Sequence, residues 1–220
     1  MELSTAEVAG RLGVSQRQAQ RLVATGQLPL TRRVGRTELV DAASAQRLAG
    51  SMRRRGRPWA QSTAWAALWL LSGLATDWAD AQTVSRLRQR LASTTPQALA
   101  WACRHRANTK RYRASTSFFG DIREMVCLSG ASTLQPERDL MSPRPDQIDG
   151  YCCTSDRDQM VSRFFLVEDP GGNVTLRVTQ FSQILSMSIA PPAVAGLDLM
   201  ESDDPRERSA GLEIVRKALS

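Results

Sequence analysis

Two helix start signals near the amino terminus, separated by one short turn, constrain the fold of this chain more than any other feature. Ser4 is followed three residues later by Glu7, which is the spacing of a capping box at the start of a helix. Ser15 precedes a second run with apolar residues at helical spacing, and Gly26 ends that run. The pattern predicts two short helices on either side of a turn over residues 13–15, which is the layout of a helix-turn-helix unit.

The outward face of the predicted second helix carries side chains that suit DNA. Gln16, Arg17, Gln20 and Arg21 can each form hydrogen bonds with base edges or phosphates. Base contacts are made by the amino-terminal end of a recognition helix, where Ser15 also lies. This composition therefore predicts a helix that reads DNA sequence.

A basic hairpin is predicted directly after the helix pair. Residues 30–33 and 37–40 are short strand candidates, and residues 34–36 form the bend between them. The tip is cationic, and Thr37 starts the second strand. Asp41 then caps a predicted third helix. A cationic hairpin of this kind favours contact with phosphates or with the minor groove.

The order helix, turn, helix, basic hairpin and helix over about residues 3–50 resembles the winged helix-turn-helix of the MerR and excisionase families. The motifs S-x-x-E, G-V-S, G-x-L-P and R-x-x-G-R occur in that order. The resemblance implies that the second helix enters the major groove and that the wing touches the DNA backbone. The residues to which it assigns these roles are Gln16, Arg17, Gln20, Arg21, Arg32, Arg33 and Arg36. Ser15 and Thr37, which flank them, are further candidate DNA-contact residues. The alternative is a protein-interaction module of the same shape. MerR proteins also have a long dimerising helix and an effector domain, and since neither is evident in this sequence, we do not expect a small-molecule sensor.

A cluster of arginines follows in the stretch SMRRRGRPW. Its centre, Arg-Gly-Arg-Pro, matches the middle of an AT-hook, in which an extended strand lies in a narrow A·T minor groove. Three readings stay open for this segment, namely minor-groove insertion, general phosphate contact and an inert linker. The arginines concerned are Arg53, Arg54, Arg55 and Arg57.

The positive charge of the chain is segregated along its length. The formal net charge is +7, and all of it comes from residues 1–58, which hold 11 basic and 4 acidic side chains. Clustered positive charge is typical of proteins that bind a polyanion. Residues 81–113 hold eight further basic side chains and no acid. Three interpretations of that second segment stay open, namely another nucleic-acid surface, a face for an acidic protein partner, and solvated charge.

The composition after residue 58 predicts a larger and mainly helical domain. We expect helices over residues 59–75, 77–91 and 96–106 and after residue 204, with a hairpin over residues 164–178. The tryptophans of the first of these helices fit core packing better than base stacking. The predicted fold class is mainly α with small β elements, in which a winged helix-turn-helix precedes an α+β domain. The predicted domains are 1–50, a basic linker 51–58, and 59–220.

Catalytic, metal-binding and membrane signals are weak in this sequence. Cys103 and His105 lie close together without an orienting acid, and Cys152 and Cys153 are adjacent. No pair of cysteines has the spacing of a zinc site. We therefore expect neither enzymatic activity nor a metal or other cofactor. Without a secretory signal or a membrane-spanning segment, a cytoplasmic location with reduced thiols is expected.

The chain as a whole also resembles AbiE-type (type IV) antitoxins of actinobacteria. The features concerned are the stretches RGRPW…AWAALWLLSG, CLSGAST, GNVTLRV and LDLMESDDPRERSAG. The resemblance implies a cognate nucleotidyltransferase-type toxin and repression of the protein's own operon. It assigns no individual residue to toxin binding.

Together these patterns predict a sequence-specific DNA-binding transcriptional regulator that represses its own operon. Double-stranded DNA is the expected partner, and the second domain supplies either self-association as a homodimer or partner binding. The alternatives are an antitoxin that neutralises a toxin by protein binding and an excisionase-like architectural factor.

Overall fold

The computed structural model describes residues 2–12, 14–26, 28–35, 37–42, 44, 45, 48, 57–133 and 146–220. The chain divides into two compact units, Met1–Gly56 and Arg57–Ser220. About half of the chain is helical and about 18% is in strands. The fold is therefore a mixed α and β fold in which helices predominate.

The first unit is a helix pair followed by a hairpin on a small antiparallel sheet. Its elements are β1 (Glu2–Ser4), α1 (Thr5–Leu12), α2 (Gln16–Ala24), β2 (Leu30–Val34) and β3 (Thr37–Asp41). Strand β3 lies between β1 and β2 and pairs antiparallel with both. Residues 42, 44, 45 and 48 are helical and follow β3 directly.

Local side-chain hydrogen bonds start both helices of this unit. The Ser4 amide donates to Glu7 Oε2 at 2.7 Å, and the Glu7 amide donates back to Ser4 Oγ at 3.3 Å, which confirms the capping box. The Gln18 amide donates to Ser15 Oγ at 3.2 Å. Gly26 ends α2 with a φ of +71°, a conformation that costs glycine little. The core beneath consists of Leu3, Val8, Ala9, Ala19, Leu28, Val40 and Ala45.

The second unit packs helices against a five-stranded mixed sheet. Its helices are α3 (Gln61–Leu71), α4 (Ala81–Leu91), α5 (Pro96–Ala102), α6 (Phe119–Glu124), α7 (Thr154–Arg163), α8 (Ser182–Leu185), α9 (Pro192–Met200) and α10 (Pro205–Leu219). Its strands are β4 (Asn108–Arg113), β5 (Cys127–Leu128), β6 (Ile148–Cys152), β7 (Val167–Glu168) and β8 (Val174–Val178). The strand order is β5-β6-β8-β4-β7, and the β6–β8 pair is parallel. Short 3₁₀ turns lie at Thr116–Phe118 and Gly130–Thr133.

The prediction of a hairpin over residues 164–178 is wrong. Strand β4 lies between the two expected partners, so β7 and β8 each pair with β4 and not with each other. The Asp-Pro-Gly-Gly-Asn stretch instead crosses close to β4, where a Cβ on Gly172 would lie 2.2 Å from the Tyr112 carbonyl oxygen. The Asn173 side chain holds this crossing by hydrogen bonds with both backbone groups of Ala114. The sequence analysis therefore missed β4, the strand that separates β7 from β8.

The helices of the second unit begin where capping side chains allow. Asp80, three residues later than expected, caps α4 by accepting from the Thr83 amide at 2.8 Å, and Thr95 caps α5. The tryptophans of α3 face the core, as the packing interpretation predicts. Trp65 is fully buried and stacks on Phe181 with ring centroids 4.8 Å apart. A base-stacking role would need exposed rings, which these residues do not offer.

Helix α7 ends in a strained residue. Phe165 has a φ of +52°, and the Leu166 amide donates to the Val161 carbonyl at 3.1 Å, which is the pattern of a Schellman cap. Glycine is favoured at this position because a Cβ in the left-handed region costs about 1–2 kcal/mol. The Phe165 ring is 77% exposed, so its burial does not offset that cost.

We expect the substitution Phe165→Gly to raise the free energy of unfolding by about 1 kcal/mol, because it relieves the left-handed backbone and removes little buried surface. Urea denaturation followed by circular dichroism measures the change. Phe165→Ala is the matched control, since it removes the ring and keeps the strain. Equal stabilisation by both variants would show that the exposed ring, and not the backbone, sets the cost.

Candidate nucleic-acid interface

Helix α2 presents one polar face to solvent. Ala19 on the opposite side is fully buried, and this fixes the rotation of the helix. As a result Gln16 and Gln20 form one exposed row, and Arg17 and Arg21 form a second row beside it. Neither arginine forms an ion pair within the described part of the chain. Ser15, also exposed, caps the amino-terminal end of this face.

The arginines of the hairpin are already paired with carboxylates. Arg32 donates through Nε and Nη2 to Glu2 Oε2 at 2.9 and 2.8 Å, and this contact raises the pKa of Arg32. Arg33 Nη2 lies 2.5 Å from Glu38 Oε1, directly across the hairpin. Both guanidiniums remain more than 60% exposed, so these pairs are held weakly against water. The hairpin is therefore less cationic than its arginine count indicates.

The structure describes only some of the remaining residues that were predicted to contact DNA. Thr37 begins β3 and is exposed. Arg36, Arg53, Arg54 and Arg55 lie outside the described residues, so the structure has no bearing on the AT-hook prediction for this segment. Arg57 opens the second unit and is exposed.

The basic segment of residues 104–113 is largely neutralised inside the second unit. Lys110 Nζ lies 2.7 Å from Glu168 Oε2, and Arg113 Nη2 lies 2.6 Å from Asp169 Oδ2. Arg111 forms an ion pair with Asp203. These acids are 56 to 92 residues away along the chain, so the sequence around the segment gave no sign of them. The segment is consequently a poor candidate for a second nucleic-acid surface.

Arg106 belongs to a buried network of charged groups. Its side chain is 3% exposed, it forms an ion pair with the fully buried Asp198, and it lies 2.8 Å from Glu201 Oε1. Arg177, 4% exposed, donates to both carboxylate oxygens of Asp149 at 2.7 and 3.0 Å. Asp198 also accepts from Tyr151 at 2.9 Å and from Ser129. The network joins α9 to strands β6 and β8 and to the turn before β4.

Burial and the neighbouring arginines have opposite effects on the pKa values of the carboxyl groups in this network. Burial raises the pKa of Asp149 despite its contact with Arg177. For Glu201 burial also opposes ionisation, but Arg106 and Arg177 outweigh it and lower the pKa. A polar cavity of about 90 Å³ touches Asp149, Arg177 and Asp198, yet their charged groups contact one another. The arrangement therefore supports a structural role.

We expect Asp198→Asn to lower the free energy of unfolding by about 3 kcal/mol, because it removes the fully buried carboxylate that pairs with both Arg106 and Arg177 and leaves Arg106 with the more exposed Glu201 as its charged partner. Chemical denaturation measures the loss. Asp203→Asn breaks an ion pair whose acid is 84% exposed and should change stability by less than about 0.5 kcal/mol. Similar losses for the two variants would contradict a central role for the buried network.

The thiols do not form a reactive centre. Burial raises the pKa of Cys103 to about 12, and His105 points to solvent, where its Nε2 accepts from Arg104 at 3.1 Å. Burial likewise raises the pKa of Cys152 to about 12, while Cys153 caps α7 by accepting from the Asp156 amide. The adjacent cysteines thus serve packing and capping, and all four cysteines are free.

The described residues contain no group of three or more His, Cys, Asp or Glu side chains that could hold a metal ion. None of the helices among them is both long and apolar enough to cross a membrane. The chain matches no known family model, no curated protein and no solved structure. Any statement about its function therefore depends on the chemistry of its own surfaces.

Proposed function

We propose that this chain is a sequence-specific DNA-binding transcriptional regulator that represses its own operon. The observation that carries the proposal is the exposed face of α2, where two glutamines and two arginines stand in adjacent rows and form no ion pair with any residue that the structure describes. The arrangement of two capped helices followed by a hairpin supports it. The location of the net charge, all of it within residues 1–58, supports it further.

The side chains of this face match the major groove. Arginine can donate two hydrogen bonds to O6 and N7 of guanine, and glutamine can pair with N6 and N7 of adenine. In the proposed complex Arg17 and Arg21 read guanines and Gln16 and Gln20 read adenines. The amino-terminal end of α2, next to Ser15, carries the positive end of the helix dipole and suits a phosphate.

The hairpin and the arginine segment supply backbone contacts in this proposal. Arg32 and Arg33 exchange their carboxylate partners for phosphates, and Arg36 and Thr37 contact the same strand. The segment with Arg53, Arg54, Arg55 and Arg57 lies along the adjacent minor groove. These contacts position α2 and carry little sequence information themselves.

A second candidate is an antitoxin that neutralises a toxin by protein binding. It is favoured by the second unit, where Arg86, Arg88 and Arg90 remain exposed without ion pairs among the described residues although the neighbouring basic segment is neutralised. Co-purification with the product of an adjacent gene distinguishes this candidate from a regulator that acts on DNA alone.

We expect Arg17→Ala and Arg21→Ala each to weaken binding to the native upstream promoter fragment by about 1–3 kcal/mol, because each removes a guanine contact. Fluorescence anisotropy at fixed salt measures the dissociation constant, and footprinting shows the site. Arg216→Ala makes the same charge change on an exposed residue of α10 and is the control. Equal losses in all three variants, or no protected site with the wild type, would refute the proposal.

We expect replacement of Arg53, Arg54, Arg55 and Arg57 by alanine to flatten the salt dependence of DNA binding. Each lost phosphate contact lowers the slope of log K against log salt by about 0.9. A larger loss on sites flanked by A·T tracts than on G·C-flanked sites would identify minor-groove insertion. An unchanged slope would mean that the segment is a linker only.

A further inference from the structure

The second unit contains an open groove of about 560 Å³ whose walls are mainly leucines. It lies between the end of α3, the end of α4 and the last turn of α10. Its walls include Leu70, Leu71, Leu74, Leu91, Leu219 and Arg88. Four of the five leucines are only partly buried, in contrast to the closed core beneath them. Exposed apolar surface grouped in a concave site is typical of a binding site for another molecule.

In the described part of the chain, the lining of the groove includes one free guanidinium. Arg88 is its one charged wall residue among the described residues, and it is exposed and forms no ion pair there. The acids next to its walls along the chain are Asp77 and Asp80; Asp80 is engaged in capping α4, and Arg88 forms an ion pair with neither. Arg86 lies on the opposite face of the same helix, since two residues turn a helix by about 200°. The groove therefore offers an apolar floor with a free guanidinium at its side.

We propose that this groove binds an acidic amphipathic helix of a partner protein. Such a helix places apolar side chains at positions i, i+3, i+4 and i+7 into an apolar groove, and a glutamate on its flank can pair with Arg88. Duplex DNA has no apolar face to cover the leucines. A second copy docked through the same groove would present another leucine-lined concave surface and a second guanidinium, which neither fills the groove nor supplies an opposite charge for Arg88. This proposal does not depend on DNA binding by the first unit.

The test uses the full chain and labelled peptides. The probe is a helical peptide of roughly 18 residues, about five turns, with leucines on one face and glutamates beside them. We expect saturable binding near 10 μM by fluorescence anisotropy. Two control peptides carry lysine in place of glutamate or serine in place of leucine, and each should bind at least about tenfold more weakly. Absence of saturable binding up to about 100 μM, or equal binding of the serine peptide, would overturn the proposal.

Two matched variants locate the site. Arg88→Glu should weaken the acidic peptide at least about tenfold, whereas Arg86→Glu makes the same charge change away from the groove and should alter binding less than about threefold. Both side chains are exposed, so both variants should fold. Equal effects of the two would point to diffuse electrostatics and refute the groove. Displacement of the peptide by promoter DNA, together with loss of DNA binding in Arg88→Glu, would assign the surface to nucleic acid instead.

Discussion

Two buried guanidiniums constrain the architecture of the second unit. A buried cation is tolerated only when carboxylates and hydrogen bonds replace its water, and the penalty for an unpaired one is several kcal/mol. Arg106 and Arg177 obtain these partners from α9 and from β6, far apart along the chain. The sheet and α9 must therefore come together for either arginine to be buried. This requirement links the strand order to the position of the helix.

The same requirement changes how the basic composition is understood. Residues 81–113 carry eight basic side chains without an acid, but folding brings carboxylates from residues 168–203 to several of them. What remains for other molecules is the set of cations that form no ion pair among the described residues. On the first unit it includes Arg17 and Arg21, and on the second it includes Arg88. A basic side chain that forms no ion pair can contact another molecule, whereas one that is already paired with a carboxylate contributes mainly to the fold.

Local features of the fold could be predicted from the sequence, and long-range ones could not. Ser4 and Ser15 cap helices as expected, and Thr95 and Asp204 cap α5 and α10 in the same local way, because a cap depends on residues only two or three positions away. Strand β4 was missed because its sequence, NTKRYR, lacks the apolar alternation of a strand. It forms a strand through its pairing with β8, more than 60 residues later. The ion pair of Arg33 and Glu38 could be predicted, because the two residues face each other in the register of the hairpin. The ion pair of Arg32 and Glu2 could not, because Glu2 lies on a different strand, 30 residues earlier.

The paired hairpin arginines bear on how a DNA-binding first unit would discriminate among sites. A phosphate that approaches Arg32 or Arg33 has to displace a carboxylate, and the displaced Glu2 or Glu38 then faces the negatively charged backbone. The gain from each such contact is therefore smaller than that of an unpaired arginine. Because phosphate contacts supply most of the non-specific affinity, this pairing weakens binding to DNA of any sequence. Under the proposed DNA-binding role this loss is the same for specific and non-specific sites, so the hairpin would lower overall affinity and discrimination among sites would depend on the unpaired face of α2.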